Sequence, residues 1–203
     1  GSFSAADEDV VNWSGTDFDT VFDGSDVMPA LVASIVDVDA FAVIDANNVL
    51  LSFNVPILAG LLPGIPSSFG AIDSSDIVQF TGALGPSTSG TFSVFFDGSD
   101  VGLSGGVGGP ENVDAFEILP DGSVAVSTAG TASVPGISPN PVGQDLIRCV
   151  GTFGPATSCT WSVYFDGSDV SLTSGNENID GVAQAATGAI YLSTTGNFNV
   201  PGV

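Results

Sequence analysis

Phe22-Asp23-Gly24-Ser25-Asp26-Val27 returns without a change as Phe96–Val101 and again as Phe165–Val170, 74 and then 69 residues further on. Identity at three places with near-constant spacing marks an internal repeat, and a repeat governs the fold before any single residue does. The flanking segments return in the same order. Each repeat begins with an acid and two aliphatics: Asp9-Val10-Val11, Asp76-Ile77-Val78, Asp145-Leu146-Ile147. A polar residue and then Trp13, Phe80 or Cys149 complete this strand A. Strand B runs into the hexapeptide as Phe18–Phe22, Phe92–Phe96 and Trp161–Phe165. Alternation of period two puts Phe92, Val94 and Phe96 on one face, the expected core face.

Strand C follows a glycine-rich or polar loop: Val38-Asp39-Ala40-Phe41, Val113-Asp114-Ala115-Phe116, Ile179-Asp180-Gly181-Val182. Hairpin turns at Ala46-Asn47-Asn48, Pro120-Asp121-Gly122 and Ala186-Thr187-Gly188 lead to strand D, which ends in Ser52, Ser127 or Ser193. Residues of these types tolerate the backbone angles of tight turns. A Pro-Gly at residues 63–64, 135–136 and 201–202 closes each unit. The expectation is an all-β array over 1–203, with repeats at 7–66, 73–137 and 144–203. Each is a four-stranded antiparallel unit with strand B beside strand C. Met28–Val36 has room for a single helical turn, and Pro29 argues against more.

The chain has 203 residues, 23 acids, one base (Arg148) and no histidine, for a net charge of −22. Nucleic-acid binding relies on Lys and Arg to neutralise phosphates, and docking on anionic lipid relies on polybasic segments; neither resource is present. Histidine-dependent nucleophilic catalysis and His-built zinc sites are excluded. The remaining donors are carboxylate, hydroxyl and carbonyl oxygens, which suit hard cations and calcium above all. No stretch approaches the roughly 20 apolar residues of a spanning helix. Gly1-Ser2 resembles a cloning remnant, so a targeting segment is expected to lie outside the reading.

Repeats two and three align without a gap from Asp76 to Val101, which sets Cys149 at Phe80 and Cys159 at Gly90. An aromatic over a glycine is a recurrent cross-strand pair. Replacement of both by cysteine predicts a Cys149–Cys159 disulfide between strands A and B, and hence an exported protein. Two free buried thiols are the alternative.

Four-stranded antiparallel units carrying the Asp-Gly-Ser-Asp-Val and Val-Asp-Ala-Phe blocks resemble β-propeller blades, and resemble the tandem repeats of large secreted or surface-anchored bacterial proteins. The resemblance implies blade-like units. Three are fewer than the four to eight of closed propellers: either the sequence is a slice of a longer array, or chains self-associate to close a ring, or the units stack another way.

Each repeat offers three carboxylates: Asp23, Asp26 and Asp39; Asp97, Asp100 and Asp114; Asp166, Asp169 and Asp180. With turn carbonyls, and with the amides of Asn112 and Asn178, they are the candidate calcium ligands, holding the end of strand B to the start of strand C. The competing reading is structural, because aspartate in an Asp-Gly turn caps loose backbone amides. The strand A acids Asp9, Asp76 and Asp145 are weaker candidates. A glycosidase needs one distinctive pair of carboxylates, and nothing singles one out, so no enzyme activity is expected. Among Trp13, Trp161, Tyr164 and Tyr191, Tyr164 is the best candidate for stacking on a sugar, since alternation turns it away from the core face. The expected function is adhesion, recognition or scaffolding outside the cell, toward a glycan or protein partner, with calcium at the Asp-Gly-Ser-Asp loops. A calcium-assisted carbohydrate-binding module is the alternative, and a polysaccharide hydrolase a more distant one.

Overall fold

The computed structural model describes residues 3–201. Gly1-Ser2 and Gly202, the last residue of the third Pro-Gly, lie outside the described residues. The chain is all-β and antiparallel, with one α-helical turn, α1 (Ala30–Ala33). The repeats supply β1 (Val10–Trp13) and β2 (Phe18–Phe22), β3 (Val38–Asp45) and β4 (Asn48–Phe53), then a small pair, β5 (Ile57–Leu58) and β6 (Ala71–Ile72). They continue with β7 (Ile77–Ala83) and β8 (Ser89–Phe96), β9 (Val113–Ile118) and β10 (Val124–Thr128), β11 (Leu146–Thr152) and β12 (Ser158–Phe165), β13 (Ile179–Gln184) and β14 (Ile190–Thr194).

The sheets are not the repeats. One four-stranded sheet has the order β3-β4-β7-β8 and the other β9-β10-β11-β12. Each takes strands C and D from one repeat and strands A and B from the next. The expected unit, four strands of one repeat with B beside C, is therefore corrected: B and C of the same repeat lie in different sheets. The physical reason is the register between D and the following A. Val49, Leu50 and Leu51 pair with Phe80, Gln79 and Val78. Val124, Ala125 and Val126 pair with Cys149, Arg148 and Ile147. The residues of these D strands that face strand A are apolar and buried (Val49 0%, Val124 0%, Val126 0% exposed), as central strands must be. The leftover halves form two-stranded sheets, β1-β2 at one end and β13-β14 at the other.

Successive sheets are fastened at both margins. On the inner margin β9 lies between β3 and β13. On the outer margin the end of strand B meets the next A–B turn, through bridges Phe22–Gly85 and Phe96–Gly154. The Thr88 hydroxyl donates to the Gly85 carbonyl (2.7 Å) and accepts the Asp23 N–H (2.9 Å). Thr157 does the same with Gly154 and Asp97 (2.7 and 2.9 Å). Between the sheets lie the cores. Phe22 meets Phe80 edge-on, with ring centroids 5.2 Å apart, and Phe96 meets Trp161 at 6.2 Å.

Cys149 and Cys159 form the expected disulfide, with Cα atoms 5.5 Å apart. The pair is diagonal, not directly opposite: Cys149 faces Trp161 and Cys159 faces Gly151. The sister repeat has the same diagonal, where the Phe80 ring lies over Gly90 and, with the Thr81 carbonyl oxygen, leaves no space for a Cβ. The bond closes a loop of separation 10, worth about 2–3 kcal/mol in the chain-entropy picture.

Candidate functional site

Each hexapeptide forms a corner at the end of strand B, and the structure gives five of its six residues a job. The phenylalanines pack between sheets: Phe22 and Phe96 are fully buried, and Phe165 is half-buried. The first aspartate caps the single 3₁₀ turn that follows. Asp23 Oδ1 accepts from the N–H and hydroxyl of Ser25 (3.1 and 2.7 Å), Asp97 Oδ1 from those of Ser99 (3.1 and 2.7 Å), and Asp166 Oδ1 from those of Ser168 (2.9 and 2.6 Å). The same Asp-X-Ser cap recurs at Asp73–Ser75, just before strand A of the second repeat, and at Asp121–Ser123 in a hairpin turn, so the cap is a general device of this chain. The glycine admits a neighbouring backbone. A Cβ on Gly24, Gly98 or Gly167 would lie 2.6, 2.5 or 2.4 Å from the carbonyl oxygen of Glu8, Ser75 or Gln144. The valine fills the space beneath, with Val27 and Val101 buried and Val170 more open.

The glycine N–H is taken by an acid that the pattern ranks low. Asp9 Oδ1 accepts from Gly24 (3.0 Å), Asp76 Oδ1 from Gly98 (2.9 Å) and Asp145 Oδ1 from Gly167 (3.0 Å). Their Oδ2 atoms accept the N–H three residues back, from Ala6, Asp73 and Val142. The start of strand A is thus tied to the end of strand B in all three repeats. The signal was present in the sequence as an acid at one fixed position in each repeat. Asp76 is the most buried of the three, and that burial, with Asp73 and Asp97 nearby, pushes its carboxyl up to about 7.

The second aspartates, Asp26, Asp100 and Asp169, differ from all of these. They are exposed, and among the described residues their side chains make no hydrogen bond.

The strand C aspartates serve the inner margin. Asn112 donates to Asp39 (2.6 Å) and Asn178 to Asp114 (2.6 Å), each from one repeat to the one before. The two asparagines therefore act as donors across the seam. Burial raises the Asp39 carboxyl and pushes that of Asp114 up to about 7, with Asp39 and Asp180 adding repulsion at Asp114. Asp180 is exposed and accepts from its own Ser193 (2.7 Å). Among the described residues no group of three or more Asp or Glu converges as a cation cage would. The corner acids follow strand B and the strand C acid lies on strand C, and these two strands of one repeat belong to different sheets.

Two buried glutamates went unnoticed in the pattern. Glu111 Oε2 accepts from the Ser104 N–H and hydroxyl (2.7 and 2.5 Å), and its Oε1 from the Ser133 N–H (2.6 Å). Glu177 accepts the N–H of Thr173 and of Ser174 (both 2.8 Å). They pin the loops before strand C in repeats two and three. Their shared place two residues before Val113 and Ile179 was the available signal.

Tyr164 is half-buried. Its hydroxyl bonds the Gln184 amide, and both line a cavity of about 220 Å³ with Pro120, Asp121 and Arg148. Arg148, the only cation, is ion-paired to Asp121 and donates to the Ser123 hydroxyl (2.8 Å). Trp161 is buried with its indole N–H on the Val101 carbonyl (2.9 Å), whereas Trp13 and Tyr191 are exposed on the two end half-sheets. A larger cavity, about 580 Å³, borders the third corner beside Asn140, Gln144, Asp145 and Asp166.

No family model, curated protein or solved structure matches the chain.

Proposed function

We propose that this chain is a module of an extracellular or cell-surface repeat protein, acting in adhesion, recognition or scaffolding. Its blade-like units present a row of carboxylates at the Asp-Gly-Ser-Asp corners, and calcium binds there. The observation that carries this reading is the fifth residue of the corner, its second aspartate. Asp26, Asp100 and Asp169 are identical in all three repeats and exposed, and among the described residues their side chains have no partner. A place in the first turn of a 3₁₀ helix favours acids in general but does not select aspartate over glutamate. Each second aspartate, the free Oδ2 of the capping aspartate and local carbonyls are hard oxygen donors of the kind calcium takes, with water completing its six to eight ligands. The charge of −22 adds to the pull on a divalent cation. The disulfide supports an oxidising compartment.

Calorimetric titration with calcium tests this. The wild type is expected to bind calcium in preference to magnesium. A variant carrying Asp26→Asn, Asp100→Asn and Asp169→Asn is expected to lose that binding while its Tm in chelator stays unchanged. Equal binding by the two proteins, or none by the wild type, overturns the assignment.

Carbohydrate binding is the second reading, and the Tyr164 cleft favours it. An aromatic ring, a guanidinium, a carboxylate and an amide border one small cavity, the mixture that sugar recognition uses. Retention of glycans that Tyr164→Ala abolishes, without loss of Tm, is the expected result.

A further inference from the structure

We infer that the two end half-sheets are halves of one sheet, and that the free β14 edge of one copy of this chain pairs with the free β1 edge of a second copy, head to tail. The chain builds this D-to-A junction twice within itself, so its requirements are known residue by residue. Aligning the ends on the two internal registers pairs Leu192 with Val11, Tyr191 with Asn12 and Ile190 with Trp13.

The ends have the composition of a buried junction and the exposure of an unfinished one. At the Trp13 position Phe80 and Cys149 are 0% exposed, and Trp13 is 55%. At the Phe18 position Phe92 and Trp161 are 2% and 5%, and Phe18 is 49%. On the other side, Leu50 and Ala125 are 2% and 0%, and Tyr191 is 65%. Phe165 is half-buried where Phe22 and Phe96 are sealed by the aromatics of the next sheet. A docked β1-β2 would bring Trp13 and Phe18 against Phe165, as Phe80 and Phe92 lie against Phe22. Unpaired strand edges that expose apolar side chains are templates for strand addition. The two patches differ, so the contact is heterologous and grows into rings or filaments.

This junction is weaker than the internal ones. The Ser14–Asp17 turn is too short to supply the Gly85–Thr88 or Gly154–Thr157 fastening, and Asp37 occupies the position of Asn112 and Asn178. With each copy at −22, repulsion opposes association and salt relieves it.

Sedimentation velocity across protein and sodium chloride concentrations tests the inference. The average mass is expected to exceed the single-chain 20.2 kDa and to rise with both variables. Trp13→Asp and Tyr191→Asp, each at a side chain more than half exposed, keep the fold and stay at the single-chain mass. Val107→Asp adds the same charge at a loop residue 78% exposed and still associates. A mixture of the two blocked variants retains one intact edge of each kind and stops at dimers. A single-chain mass for the wild type throughout means that the edges stay free or close within one chain, and overturns the inference. So does association indifferent to both variants, or sensitive to only one, which marks a symmetric contact.

Discussion

In the middle of the array the residue after the polar position of strand A is sealed, as Phe80 and Cys149; at the start of the array the same position is Trp13, more than half exposed. Strand D behaves alike, with Leu50 and Ala125 buried and Tyr191 open. Every one of these residues is apolar or aromatic. Burial at this junction is a property of the pair of repeats, not of one repeat, which is the behaviour of nearest-neighbour arrays. Stability should therefore be concentrated in the two interior sheets and be low at both ends.

The largest expected contrast comes from the acids that tie strand A to the corner. Asp76→Ala leaves the Gly98 and Asp73 N–H groups without acceptors inside the structure and should cost about 3 kcal/mol. Asp9→Ala makes the same deletion at the open end, where water replaces the acceptor, and should cost about 1 kcal/mol. Denaturant unfolding of both variants gives the comparison; equal losses would mean that the end is as tightly built as the middle.

A smaller effect follows from pH. Asp76 and Asp114 have folded pKa values raised to about 7, burial being the first cause in both. The folded chain thus holds protons that the unfolded chain releases at about 4. Their stabilising contribution is fully present below about pH 4 and is lost as pH rises to 7 and beyond. Asp114→Asn keeps an acceptor for Asn178 and removes the buried charge. It should be more stable than the wild type by about 1–2 kcal/mol at pH 8, an advantage that fades toward pH 4. The exposed counterpart Asp180→Asn should show no comparable pH-dependent gain.

The strands, their turns, the core face of strand B and the disulfide were legible in the sequence, because alternation and repeat alignment report local geometry directly. Sheet membership was not. Nothing local in Phe22 and Val38 says that they enter different sheets, and strand D carries no mark of its partner beyond three consecutive apolar residues before its serine. The corner aspartates were legible as a group. Their division into a capping residue and a free one depended on where Ser25, Ser99 and Ser168 point. Nothing local marks Asp9, Asp76 and Asp145 as acceptors, because that role is spent on a glycine 15 to 22 residues away.

The fold rests on sheets assembled across repeat boundaries, and amide hydrogen exchange in dilute, low-salt solution tests that most directly. The slowest exchange should fall in β4, β7, β10 and β11, with β1 and β14 exchanging much faster. Protection in β1 and β14 equal to that in β7 and β10 would contradict it.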